Sequence, residues 1–147
     1  MRGFSMVEVL VALVVLSIGM LGIASMYVMS LRSGGTAIYR MNAVNLAADM
    51  ADRIRANRNA NLAYQGTATD SGCEQTSISA TPGECDAVTM AANDLAMWNK
   101  AIAAALPSGA TGAITVVQAG LLYTYQITIQ WSDPESGTLL YVTSFKV

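Results

Sequence analysis

Glu8 stands alone at the head of an apolar run. From Val9 to Leu31 the chain contains no charged residue, and Glu8 is the one carboxylate in all of Phe4–Leu31. Apolar stretches of about 18 residues or more are long enough to cross a bilayer as a helix. At about 1.5 Å per residue, Phe4–Leu31 would extend roughly 40 Å, beyond the roughly 30 Å of a hydrocarbon core. An acid in such a helix is costly unless something pairs with it. An N-terminal amine would suffice, and cleavage after Gly3 would create one on Phe4.

Three readings compete for this segment. A secretory signal peptide has an apolar region of about 7–15 residues that ends at a small-residue cleavage site. This run is too long, and Gly22-Ile23-Ala24 is a poor site. A plain single-pass anchor accounts for the length but leaves Glu8 without a partner. The third reading uses every residue. The stretch Gly3-Phe4-Ser5-Met6-Val7-Glu8-Val9-Leu10-Val11-Ala12-Leu13 resembles the class III leader of type IV pilins and pseudopilins.

That resemblance implies a leader of residues 1–3, with Arg2 as its basic residue. It implies cleavage between Gly3 and Phe4 by a prepilin peptidase, and N-methylation of Phe4 by a methyltransferase. Residues 4–31 would be the transmembrane and filament-core helix, and residues 32–147 a globular periplasmic domain with a loop at 59–85. Glu8 would dock subunits by pairing with the Phe4 amine of a neighbour. Inside a core of apolar helices an unpaired carboxylate costs several kcal/mol. Such a pair would therefore fix axial register more than it adds strength.

Composition narrows the function. The chain is 53% hydrophobic and 12% charged, where soluble domains carry roughly 25% charged residues; part of the excess is the N-terminal run. The net charge of −2 steers neither nucleic acid nor an acidic substrate. There is no histidine, which removes a His-based triad and a His-ligated zinc site within this chain. No nucleophile stands beside a visible base, and no glycine-rich phosphate loop occurs. An enzyme is the least favoured class, and neither a metal nor a cofactor is expected.

Past the run, helical character continues. Ser33-Gly34-Gly35-Thr36 is a weak point, since glycine costs about 1 kcal/mol relative to alanine in a helix. Gly19 and Gly22 lie earlier, where they would permit close packing or local melting, or form a harmless small-residue face. From Thr36 to Asn57, Ile38, Met41, Val44 or Asn45, Leu46, Met50 and Ile54 form an expected core stripe. Asp49 and Arg53 are spaced i, i+4, and Asp52 and Arg55 i, i+3, as helical ion pairs are. Arg53, Arg55 and Arg58 close this stretch. They read as a solvated helix end suited to the dipole, or as a docking surface for an adjacent subunit. DNA contact is a weak third reading, because no aromatic platform accompanies them.

Asn59 to Glu84 is polar and small and reads as a loop. Cys73 and Cys85 bound its second half, and an isolated pair in an exported domain reads as a disulfide. A redox or metal site fails on spacing. Asp70, Glu74, Glu84 and Asp86 lack the alternating ligands of a calcium loop. Asp86 is placed to cap a helix running from Ala87 to about Leu106. There Val88, Ala91, Leu95, Trp98 and Ile102 recur at helical spacing, and Pro107-Ser108-Gly109 stops it. Ala113–Gln118 is β-rich. Leu121–Trp131 alternates, with Tyr123, Tyr125, Ile127, Ile129 and Trp131 on one face. Asp133-Pro134-Glu135-Ser136-Gly137 is a turn signal, and Thr138–Lys146 alternates through Leu140, Val142 and Ser144. The expected fold is α+β. A long N-terminal helix, half membrane and half amphipathic, and a second helix carry a three-stranded antiparallel C-terminal sheet.

Leu46-Ala-Ala-Asp-Met-Ala-Asp-Arg-Ile-Arg-Ala-Asn-Arg58, following such a leader, is similar to the PilV-type minor pilins, the type IV pilus modification proteins. The resemblance implies a minor subunit that primes pilus assembly near the tip, with twitching motility and adhesion following from it. Its implied partners are other minor pilins, the major pilin, prepilin peptidase, the inner-membrane assembly platform and a tip adhesin. Its implied location is the inner membrane, then the pilus at the cell surface. A minor pseudopilin of a type II secretion system shares the leader, helix and assembly physics, and a deletion phenotype would separate the two. A pilus-borne DNA receptor is the third class; an electrophoretic shift abolished by neutralising Arg53, Arg55 and Arg58 would mark it.

Overall fold

The computed structural model describes residues 3–73, 85–133 and 136–147. The elements run in the order α1 (Met6–Ala56), a 3-10 segment (Arg58–Gln65), α2 (Ala87–Ala105), β1 (Thr111–Ala119), β2 (Leu122–Asp133) and β3 (Gly137–Lys146). The chain divides into two compact units, Met1–Ile38 and Tyr39–Val147.

In the first unit the described chain is the N-terminal part of α1. Ser5 starts that helix. Its Oγ accepts from the Val7 amide at 3.4 Å, and its carbonyl accepts from Glu8 and Val9 at 3.0 and 3.3 Å. These contacts satisfy amides that an uncapped helix leaves open. With no proline before Pro82, nothing breaks the helix. Helical structure continues through Ser33-Gly34-Gly35-Thr36. The Ser17 and Ser25 hydroxyls donate to the Val14 and Gly22 carbonyls, each at 2.8 Å. These two hydroxyls in the apolar run are thus satisfied within their own helix. Every large apolar side chain from Phe4 to Leu31 is exposed within this chain.

The second unit holds the core. From α1 it takes Ala43, Ala47, Met50, Ala51 and Ile54, and from α2 Ala91, Leu95, Trp98 and Ile102. This corrects the expected stripe. Met50 and Ile54 face inward, but Ile38, Met41 and Val44 are exposed and Asn45 with them. The reason is steric. Alanines let the packed elements come close, and the bulkier residues fall on the opposite face. α2 begins at its expected cap, where the Asp86 carboxylate accepts from the Thr89 amide at 2.7 Å. Val88, expected in its core stripe, is exposed, whereas Trp98 is 1% exposed. The Trp98 indole donates to the Leu46 carbonyl at 2.9 Å, and the Asn42 amide donates to that of Ala105 at 3.0 Å. These two bonds tie α1 to α2.

The sheet is antiparallel in the order β1-β2-β3. Central strand β2 buries Tyr125, Ile127, Ile129 and Trp131, the face its alternation predicts; Leu121 lies outside it, in the β1–β2 turn, 97% exposed. β3 departs from expectation. Leu140, Val142 and Ser144 point outward, while Leu139, Tyr141, Thr143 and Phe145 lie inward. The pairs Trp131–Leu139, Ile129–Tyr141, Ile127–Thr143 and Tyr125–Phe145 set this register. A shift of one residue would exchange the two faces, and the aromatic pairs decide it. The β2–β3 connection includes Pro134 and Glu135, which lie outside the described residues; Ser136 N donates to Asp133 Oδ1 at 2.9 Å.

Part of the expected 59–85 loop is ordered helix instead. Arg58–Gln65 forms the 3-10 segment, with Ala60 and Tyr64 buried. Asn61 interrupts it at φ 49°, ψ −115°, a positive φ that residues other than glycine rarely adopt. Its carbonyl accepts from the Tyr125 hydroxyl at 3.1 Å. After it the chain is tied to α2: Thr69 N donates to the Ala92 carbonyl at 3.0 Å and Ser71 N to Asn93 Oδ1 at 2.9 Å. Cys73 and Cys85 are disulfide-bonded, with Cα atoms 5.9 Å apart. Glu74, Glu84 and Pro82, named in the loop reading, lie outside the described residues.

Candidate functional site

The candidate site is the exposed N-terminal end of α1. Helical geometry puts residues four apart on one face, and Glu8, Ala12 and Leu16 follow that row. Phe4, Val9 and Leu13 join them around a shallow groove of about 300 Å³. Phe4 is 83% exposed and Gly3 beside it is open, with nothing near the position of a Cβ. Glu8 sits in the first turn of α1, where the positive end of the helix dipole favours an anion. Among the described residues its carboxylate has no hydrogen-bond or ion-pair partner. The surrounding surface is apolar. Chemically the site offers one carboxylate in an apolar field, open to a cation carried by another molecule.

Two family comparisons bear on this geometry. The model described as the prokaryotic N-terminal methylation motif matches residues 1–24. The model described as type IV pilin Tt1218 matches residues 25–96. Together they run without a gap from the methylation motif through α1 and the 3-10 segment into α2. The chain belongs to the type IV pilin family. Its long N-terminal helix, second helix and three-stranded antiparallel sheet agree with that family's fold. No curated protein and no solved structure matches the chain.

As a pilin, the chain is a structural subunit whose apolar helix suits membrane anchoring and assembly. Met6–Ala56 contains a helical stretch long and apolar enough to cross a bilayer by length and composition.

The arginines expected near a subunit surface have different surroundings. Arg53 Nε donates to Asp49 Oδ2 at 2.9 Å, and its Nη1 to Asp94 Oδ1 at 3.1 Å. Partial burial pulls the Arg53 pKa down, but these two carboxylates outweigh it and hold the guanidinium charged. Arg55 pairs with Asp52 at 2.7 Å and stacks over the Phe145 ring, 4.7 Å from its centroid. Arg58 is exposed. Both helical ion pairs expected from spacing are present. The three arginines do not converge on one site.

Sequence reasoning missed Asp94 and Tyr64. The Tyr64 hydroxyl donates to Asp94 Oδ2 at 2.9 Å, so Asp94 holds Arg53 and Tyr64 together while only 7% exposed. Burial, then the Asp94 carboxylate, pushes the Tyr64 phenol well above its ordinary range. A signal was available. Asp94 sits among Ala91, Leu95 and Trp98 on the apolar side of α2, and an acid there requires an internal cation or donor. Among the described residues no cluster of His, Cys, Asp or Glu is arranged to hold a metal. Asp70 pairs instead with Lys100, and Asp86 caps α2.

Proposed function

We propose that this pilin is a minor subunit of the type IV pilus that helps prime filament assembly near the tip, with twitching motility and adhesion depending on it. The observation that carries the reading is Glu8, an acid without a partner among the described residues, at the head of an apolar stretch whose large side chains from Phe4 to Leu31 are exposed. In the proposed pathway the helix anchors the subunit in the inner membrane, with the second unit in the periplasm. Prepilin peptidase cleaves between Gly3 and Phe4, and the new Phe4 amine is methylated. That cation then pairs with Glu8 of a neighbouring subunit as the assembly platform moves the helix from bilayer to filament core. Desolvation makes the pair selective, because a subunit out of register would bury both charges unpaired. The minor, tip-proximal role rests on the likeness of Leu46–Arg58 to the PilV-type proteins. Its proposed neighbours are the other minor pilins, the major pilin and a tip adhesin.

The test is Glu8→Ala in cells, followed through membrane, processing and sheared-filament fractions. Insertion and cleavage should be normal and recovery in filaments strongly reduced. Wild-type levels of Glu8→Ala in sheared filaments would sink the docking role. Deletion of the gene separates the pilus from its closest rival: lost twitching supports the pilus, and lost enzyme secretion supports a type II pseudopilin.

A further inference from the structure

The two edges of the sheet differ in what meets them. Tyr123 N donates to the Val147 carbonyl at 3.0 Å, and Val147 N to the Tyr123 carbonyl at 2.9 Å. In an antiparallel ladder such doubly bonded pairs alternate with pairs that share no bond. By the register, Tyr125–Phe145, Ile127–Thr143, Ile129–Tyr141 and Trp131–Leu139 are bonded in the same way. The backbone N–H and C=O groups of Leu140, Val142, Ser144 and Lys146 therefore turn away from β2, toward the free edge of β3. The same parity turns those of Ile114, Val116 and Gln118 toward the outer edge of β1. There the chain covers itself: Gln65 Nε2, from the 3-10 segment, donates to the Val116 carbonyl at 2.9 Å. Among the described residues nothing bonds to the outward backbone of Leu140, Val142 or Ser144.

β3 also lacks the devices that blunt an edge. It holds no proline, pairs with β2 without a bulge, and carries one charge, Lys146. Beside it lies a groove of about 230 Å³, walled by Val44, Ala48 and Ala51 of α1 and by Tyr141, Thr143 and Phe145 of β3. One further strand on β3 would continue the ladder. Its side chains would alternate between that groove and the outer face, where Leu140, Val142 and Ser144 stand. Lys146 is exposed and has no ion-pair partner among the described residues. An acid opposite it on the added strand would match its charge.

We propose that the free edge of β3 is a strand-addition site for an extended segment of another protein, with apolar residues at alternate positions and an acid facing Lys146. Main-chain bonds supply the affinity of such docking, and the alternate side chains its specificity. A second copy of this chain does not supply the match. Its β1 edge is engaged by Gln65, and β3 contains no carboxylate to meet Lys146. The site uses the packed unit alone, so its failure would leave the docking role of Glu8 untouched.

The experiment is amide hydrogen exchange on the full chain in lipid nanodiscs, with the capped peptide Glu-Val-Thr-Val-Thr-Val-Thr as probe. Antiparallel pairing sets its glutamate opposite Lys146 and its valines toward the groove. At saturating peptide the amides of Leu140, Val142 and Ser144 should slow by about tenfold or more, while those of Ile114 and Gln118 stay unchanged. A peptide of the same residues without alternation should have no effect. Val142→Pro removes an edge donor and no bond to β2, so it should weaken binding by about tenfold with Tyr141 and Thr143 amides still protected. Lys146→Glu should weaken binding by roughly threefold, and a lysine-headed peptide should restore it. No slowing with the alternating peptide, or equal slowing in Val142→Pro, overturns the strand-addition site. Unchanged affinity in Lys146→Glu overturns the acidic partner. Slowing that grows with protein concentration in the absence of peptide assigns the edge to a second copy and overturns the proposed occupant.

Discussion

Arg53 on α1 donates to the Asp94 carboxylate on α2 across 3.1 Å, and the Asp94 side chain is only 9% exposed. A residue read from the sequence as a solvated helix end or a docking surface thus also braces its own fold. Removing one partner of a fully buried pair costs about 3–5 kcal/mol. The Arg53 side chain is 33% exposed, so water screens part of the charge left behind. Asp94→Ala should lower stability by about 2 kcal/mol, since Tyr64 loses its acceptor as well. Asp49→Ala, at an exposed i, i+4 pair, should cost only about 0.2–0.5 kcal/mol. Urea melts of full-length protein in detergent check both, and equal effects would show that the Asp94 contact is not internal bracing.

Tyr64 makes stability depend on alkaline pH. Its folded pKa is raised, by burial and then by Asp94, above the ordinary value of 10.0. A group whose folded pKa is raised contributes stability below its unfolded pKa and loses it as pH rises toward the folded value. Melting temperature should fall above about pH 10. Tyr64→Phe should make that slope shallower without removing it, because Tyr125 is also raised by burial. Identical slopes for the two proteins between pH 8 and pH 12 would contradict the assignment.

Gly112 marks where β1 meets α2. A Cβ there would overlap the Trp98 ring and the Ile102 terminal methyl. Both belong to the buried core, so neither can swing into solvent. Gly112→Ala should destabilise by about 1–3 kcal/mol, the usual cost of overpacking. Chemical denaturation reads the loss, and Trp98→Phe in the same chain should recover part of it by vacating volume. An unchanged midpoint for Gly112→Ala would refute the close approach.

The Cys73–Cys85 bond closes a loop of 12 residues in sequence separation. By the loop-entropy relation, Cys73→Ser/Cys85→Ser should cost about 3 kcal/mol. The Thr69–Ala92 and Ser71–Asn93 bonds join residues before the ring to residues after it and include neither cysteine. Circular dichroism should therefore retain the helix and sheet signals while the melting temperature falls. Full retention of the wild-type melting temperature would mean that the bond restrains little in the unfolded chain.

Much of the fold was legible because its signals are local. The Asp86 cap, the start of α2, the alternation of β2 and the pairs Asp49–Arg53 and Asp52–Arg55 follow from residue type and spacing within a turn or a strand. The 3-10 segment was not legible. Asn59 to Gln65 reads as polar loop, and its order comes from Tyr64 reaching Asp94 and Asn61 meeting Tyr125, contacts between distant parts of the chain.

What the sequence by itself determined is the N-terminal end of the molecule. An uninterrupted apolar run of that length headed by one acid favours a helix, because helix formation satisfies its backbone internally, and it leaves Glu8 in need of a partner. Only the tertiary structure decided which apolar face of α1 is buried, which face of β3 turns inward and what Arg53 touches. Each of those choices had two locally equivalent answers. Ala43 and Ala47 face the core because they permit close approach, and Tyr141 and Phe145 turn inward because they pair with Ile129 and Tyr125 across the strands. Arg53 points inward because Asp94 is buried where a charge must be matched.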